Sequence, residues 1–196
     1  ESLNAQVSVR DDGAWHLQVS KVMYATHAGI GDFEQDLESL VRHANDERVP
    51  LGLSDRFPHP YTVADGESFL SGAVIDLREP VFAIEIGGEA CGGIGAHPGK
   101  GERSHSAEFG YWLGHAQWGN GVMTRVVAAF VPWVMREFQL YRLQANVLDT
   151  NPASARVLLK NGFVEEGVQR AAVFKRAVLH DLRLFAKVRR SLHDDH

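Results

Sequence analysis

The chain has 196 residues, 44% of them hydrophobic and 23% charged, with a formal net charge of −5 and a pI near 6.1. This length fits one domain over residues 1–196 with a sizeable core, and the acidic balance argues against a general nucleic-acid binder or a membrane-surface protein. No apolar run approaches a membrane span, no signal-peptide pattern opens the chain, and the lone Cys91 rules out an intramolecular disulfide, so the expected compartment is the cytoplasm.

In chain order, residues 5–10 and 15–23 read as two strands joined at Asp11-Asp12-Gly13, a good hairpin turn. Residues 29–32 break the chain. Phe33, Leu37, Leu40 and Val41 then form one face of a short helix ending near Asn45. The segment from Val49 to Tyr61 is rich in proline and aromatics, too apolar for a free linker, and predicts an ordered loop packed over other residues. Thr62 with Asp65 is a helix-start signature, and the helix is expected to continue over 68–77 until Pro80. Residues 81–86, Gly87-Gly88 and 90–97 predict an antiparallel hairpin, with Cys91 as a buried small thiol rather than a nucleophile. Residues 99–105 are polar and predict a mobile connection.

A strand over 107–113, Ala-Glu-Phe-Gly-Tyr-Trp-Leu, leads into Trp118-Gly119-Asn120-Gly121-Val122-Met123-Thr124 and a long helix whose apolar face carries Val122, Val126, Val127, Phe130, Val131, Val134 and Phe138. Pro132, well inside it, is expected to kink or interrupt the helix. A strand over 142–148, a helix over 153–160 ended by Asn161-Gly162, and strands over 163–167 and 178–188 complete the order. The alternation of strands and helices predicts a mixed α/β (α+β) sheet covered by helices on both faces.

The glycine turn at 119–121 is the first chemical signal. A strand that runs through glycines into a helix leaves the first helical N–H groups unpaired, and with the helix dipole they make a seat for a phosphate. A dinucleotide fingerprint fails, because Thr124 stands at the third glycine position and no acidic residue follows at the required distance. The ten histidines contain no His-x-His or His-x-x-x-His pair, which predicts no metal. Trp112, Trp118 and Trp133 read as core and packing groups rather than a nucleic-acid stacking platform.

Three segments taken together, residues 107–113, 118–124 and 151–163, resemble the GNAT superfamily of N-acetyltransferases. The phrase Phe57-Pro58-His59-Pro60-Tyr61-Thr62, the strand Phe82-Ala83-Ile84 with Gly92-Gly93-Ile94-Gly95, and Glu166-Gly167-Val168-Gln169-Arg170 are similar to its ribosomal-protein N-terminal (RimJ/RimL-type) branch. The resemblance covers about residues 35–188. It implies a centrally splayed sheet and acetyl-coenzyme A as co-substrate. Its pyrophosphate would be held by Trp118, Gly119, Asn120, Gly121, Val122, Met123 and Thr124, and its pantetheine arm by the strand at Tyr111, Trp112 and Leu113, with Asn151 contacting the arm. Backbone N–H groups near Leu113 would polarise the thioester carbonyl. Glu108 would act as base on the attacking amine, and Ser154 would lie near the cofactor sulfur, either to relay a proton to the thiolate or only to hold the carbonyl. Bland readings stand beside these: Asn151 as a helix cap before Pro152, Ser154 as a small first-turn residue, Glu108 facing solvent or paired with an arginine.

Departures from the family pattern are specific. Ala116 stands where Gln or Arg is usual, Asn120 where a basic residue is common, and Leu158 replaces a tyrosine acid. The implied acceptor is a primary amine, either a protein N-terminus such as that of a ribosomal protein or a small amine. A longer acyl chain and a non-catalytic acyl-coenzyme A sensor are the alternatives. Relatives that dimerise make a homodimer an expectation of the same kind.

Overall fold

The computed structural model describes residues 4–9, 15–20, 33–74, 76 and 79–189. Strands β1 (Asn4–Val9) and β2 (Trp15–Ser20) pair antiparallel as a separate ribbon. The expected turn at residues 11–13 and the break at 29–32 lie outside the described residues. Strands β3 (Val81–Ile86), β4 (Glu89–Pro98), β5 (Ser106–Leu113), β6 (Arg142–Leu148), β7 (Val164–Lys175) and β8 (Val178–Val188) form a mixed sheet in the order β3-β4-β5-β6-β8-β7. Helices α1 (Phe33–Ala44) and α2 (Val63–Leu70) precede these strands, while α3 (Val122–Glu137) lies between β5 and β6 and α4 (Pro152–Lys160) between β6 and β7. The parallel neighbours β5 and β6 share the register pairs Ser106↔Arg142, Ala107↔Leu143 and Glu108↔Gln144, whereas β6 runs on to Leu148. Among the described residues, no helix is long and apolar enough to cross a membrane.

Two compact units divide the chain, residues 1–95 with 111–120, and residues 96–110 with 121–196. In the first, α1 and α2 pack through Leu40, Ala44, Tyr61 and Leu70 against Ala90, with Phe57 and Trp112 closing the cluster. The Phe57 ring sits 5.2 Å from Tyr61 and 5.3 Å from Trp112, so the proline-rich segment is packed as its composition predicts. It opens with a 3-10 turn over Val49–Gly52 and contains a cis His59–Pro60 bond.

Thr62 and Asp65 form a reciprocal capping box at the start of α2. The helix stops at Leu70, short of the expected 77, because Gly72 takes a left-handed φ of 77°. The N–H groups of Gly72 and Ala73 return to the carbonyls of Phe69 and Ser68, a Schellman ending. The Gly87-Gly88 turn joins β3 and β4 with φ of 62° and 83°, conformations that glycine adopts without strain.

In the second unit Phe109 of β5 stacks on Phe130 of α3 at 6.4 Å and on Phe163 at 5.3 Å. Pro132 does not interrupt α3, which is continuous from Val122 to Glu137. Pro132 and Ala128, whose carbonyl loses its helical donor, both lie on the exposed face, where water can satisfy that carbonyl. Helix α4 ends in a second Schellman turn at Gly162, with Phe163 and Leu158 buried at its close. Residues 99–105 carry a 3-10 turn over Gly101–Arg103, tied by the Gly99 N–H to the Ser106 carbonyl. Strand β7 runs eight residues past the expected 167, through a bulge at Ala171 (φ 50°) whose N–H donates to Asp181 Oδ1. Its hairpin to β8 turns on Arg176 and Ala177, both at positive φ.

Candidate active site

The end of β5 is held tightly to β4. The Gly114 N–H donates to the Cys91 carbonyl at 2.7 Å, and a Cβ on Gly92 would lie 2.5 Å from the Trp112 carbonyl oxygen. A Cβ on Gly93 would meet the Trp112 indole nitrogen at 2.8 Å. The Gly92-Gly93 pair therefore exists to let Trp112 lie across β4, and Trp112 is a packing group through its side chain.

After β5 a 3-10 turn over His115–Gln117 leads to Trp118. The Trp118 indole N–H donates to the Leu113 carbonyl at 2.7 Å and its ring lies 4.9 Å from His115, although nearly half of the residue, 46%, stays exposed. Gly119 and Gly121 take φ of 80° and 71°, and Gly121 is the N-cap of α3. Those angles cost a residue with a Cβ about 1–2 kcal/mol each. The first helical hydrogen bond runs from Arg125 N–H to the Gly121 carbonyl, so the N–H groups of Val122, Met123 and Thr124 have no partner within the helix.

A cation sits at this helix start. Arg125 Nη1 would lie 3.4 Å from a Cβ on Gly121, so the guanidinium is laid against the glycine turn. No acidic residue occupies the first turn. A positive side chain there opposes the helix dipole, which favours negative charge at an N-terminus. Ala116 and Asn120, both exposed, bring no charge to this turn, whereas Arg125, four residues after Gly121, does.

Glu108 is exposed on β5, on the face opposite the buried Ala107 and Phe109. In a parallel ladder register partners share a face and alternate residues repeat it, so Glu108, Gly110, Gln144 and Asn146 lie on one side. A Cβ on Gly110 would meet nothing within 4 Å, so this face is open beside Glu108. Gln144 accepts from Arg142 Nε at 3.0 Å, and Arg142 pairs with Glu166 at 2.6 Å, which holds the Glu166 carboxyl below its usual range. Asn146 Oδ1 is buried with no protein partner among the described residues. A buried amide oxygen left without a donor is costly, and marks a place where a ligand can supply one. Asn146 lies on the partly exposed face of β6, and only coordinates reveal the missing donor.

Asn151 and Ser154 are brought together at the start of α4. Asn151 Oδ1 accepts from the Ser154 N–H at 3.1 Å, so Asn151 is a helix cap. Leu158, one turn beyond Ser154, is fully buried in the core. Within the first unit, His43, Glu89 and Cys91 cluster. Burial and the Glu89 charge push the Cys91 thiol up to about 11, which makes it a poor nucleophile, as expected for a buried small thiol.

Residues 32–164 match the family described as Acetyltransferase (GNAT) domain. The chain belongs to the GNAT acetyltransferase family. This GNAT chain is 38% identical over 81 residues to a Bacillus subtilis protein named "Probable N-acetyltransferase YjcK", covering 41% of this chain and 45% of that protein. It is 31% identical over 83 residues to the ribosomal-protein-serine acetyltransferase of Escherichia coli, covering 42% and 46% respectively. The chain thus spans about half the length of the curated relatives it matches. A solved structure of RimL, a ribosomal L7/L12 alpha-N-protein acetyltransferase in complex with coenzyme A, superposes with a TM-score of 0.69 at 20% identity, over 81% of this chain and 90% of that one. That likeness extends the GNAT assignment to the fold.

Proposed function

We propose that this GNAT chain transfers an acetyl group from acetyl-coenzyme A to a primary amine by direct attack in a ternary complex. The observation that carries the reading is the opening of α3: two left-handed glycines, helix N–H groups without intrahelical partners, and the Arg125 guanidinium beside Gly121. A pyrophosphate suits such a seat, since backbone donors approach it closely and the cation offsets its charge. Trp118, Gly119, Asn120, Gly121, Val122, Met123 and Thr124 form that grip. Tyr111, Trp112 and Leu113 offer backbone groups to the pantetheine amides, and Asn151 offers its carboxamide N–H groups while its Oδ1 caps α4.

Acetyl-coenzyme A, when bound, supplies a thioester whose acetyl carbon the amine attacks and whose sulfur leaves. The amine must first be neutral. Glu108, exposed on the open face of β5, takes its proton directly or through water, and Asn146 Oδ1 accepts a second N–H and orients the lone pair. On collapse of the tetrahedral adduct the C–S bond breaks, and Ser154 relays a proton to the departing sulfur, its hydroxyl being reprotonated by the second proton that the attacking nitrogen sheds, directly or through water; Leu158 cannot take this part. The similarity to a ribosomal-protein-serine acetyltransferase supports a protein N-terminus as acceptor, with small amines as the other class.

Steady-state kinetics on Glu108→Gln test the assignment. The expected result is a fall in kcat of about a hundredfold or more, with coenzyme A affinity unchanged. An unaltered kcat across the pH range would remove Glu108 as the base.

A further inference from the structure

Helix α1 is docked on the start of β4 by two side chains one turn apart. Ser39 Oγ accepts the Ala90 N–H at 3.0 Å, and His43 Nε2 lies 3.1 Å from Glu89 Oε2 and 3.4 Å from Cys91 Sγ. The β3–β4 register skips Cys91, pairing Ile84 with Gly92 and then Glu85 with Ala90, so Cys91 sits at an irregularity of the ladder two residues from Glu89. One ligand atom from each of His43, Glu89 and Cys91 lies within 4.8 Å of the others. A nitrogen, an oxygen and a sulfur thus converge on a common point.

We infer that His43, Glu89 and Cys91 form a binding site for a Zn²⁺-like divalent transition metal that staples α1 to β4. Metal–ligand bonds of about 2.0–2.3 Å in a tetrahedron set ligand atoms roughly 3.3–3.8 Å apart; the two separations at His43 are 3.1 and 3.4 Å, and the third, Glu89 to Cys91, lies within 4.8 Å, so the exposed Glu89 carboxylate adjusts to complete the site. The donor set is suited to Zn²⁺, since imidazole, carboxylate and thiolate are its ordinary ligands, while Mg²⁺ and Ca²⁺ would take oxygen alone. The histidine ring packs against the backbone of Gly114, where a Cβ would sit 2.8 Å from its Nδ1. Cys91 is fully buried and Glu89 is partly exposed, so the fourth position opens toward solvent on the Glu89 side. On binding, the Cys91 S–H gives its proton to solvent and the sulfur bonds to the metal; His43 coordinates as the neutral imidazole. Arg42, which pairs with Glu89 at 2.9 Å, gives up that carboxylate oxygen to the ion.

The single cysteine makes the test specific. Co²⁺ is titrated into the chelator-treated full chain and followed by absorption. The expected result is a thiolate-to-cobalt charge-transfer band in the near ultraviolet, saturating at one equivalent, bleached by Zn²⁺ and lost in Cys91→Ser. Glu89→Gln, at a partly exposed position, should keep the band but weaken Co²⁺ binding by about tenfold or more. Zn²⁺ in hundredfold excess over its Kd should raise the Tm by roughly 5 °C. Absence of the band in the parent chain, or its survival in Cys91→Ser, overturns the site.

Discussion

Arg125 shows how one side chain can carry the charge that the neighbouring positions lack. Its guanidinium lies against the backbone of Gly121 at a helix end that already favours anions. In the proposed complex the side chain and the dipole would both act on the pyrophosphate. Arg125→Ala should therefore weaken coenzyme A binding by about tenfold or more and flatten its dependence on salt, read by isothermal titration at two ionic strengths. An unchanged Kd and salt slope would show that the glycine turn holds its anion through backbone groups alone. The glycine turn, the place of Glu108 on β5 and the cap at Asn151 are legible from spacing. Asn146 and His43 are not, because a missing donor or a convergence of residues 46 positions apart is a property of coordinates.

Among the elements, β4 and β5 explain their glycines by what each must avoid. Gly92 has the Trp112 carbonyl oxygen 2.5 Å from its Cβ position, a backbone atom that cannot step aside, whereas Gly110 faces open space beside Glu108. Gly92→Ala should lower stability by about 1–3 kcal/mol in chemical denaturation, the usual range for overpacking. Gly110→Val should leave stability within about 0.5 kcal/mol and still lower acetyl transfer, because its side chain fills the face that the acceptor needs. Equal stability losses in the two variants would contradict this division. Element legibility followed local chemistry. The capping box at Thr62 and the Gly162 ending were readable, and the Gly72 ending of α2 had its signal in the same residue type. The reach of β7 was not, since its hairpin turns on Arg176 and Ala177, residues that give no turn signal, and its bulge is held from another strand by Asp181. Pro132 misled for the opposite reason: a helix breaker is tolerated where its orphaned carbonyl faces water.

At the scale of the whole chain, the strand order, the family match over residues 32–164 and the superposition on a coenzyme A-bound acetyltransferase agree with the mixed α/β class that the alternation of elements predicts. Fold alone does not fix an acceptor, since function resides in the site. The proposed amine acceptor rests on the face carrying Glu108, Gly110 and Asn146, where a carboxylate is exposed and an amide oxygen lacks a donor. Leu158 removes the tyrosine acid usual in the family, which is the feature that most favours a chain binding acyl-coenzyme A without turnover. The decisive measurement is release of free thiol from acetyl-coenzyme A with a peptide bearing a free α-amine, set against the same peptide already acetylated at that amine, and repeated with amino acids and polyamines. The account predicts thiol release that depends on a free amine and is matched by acetylated product. Tight coenzyme A binding with no thiol release for any amine would contradict it and make the chain a sensor.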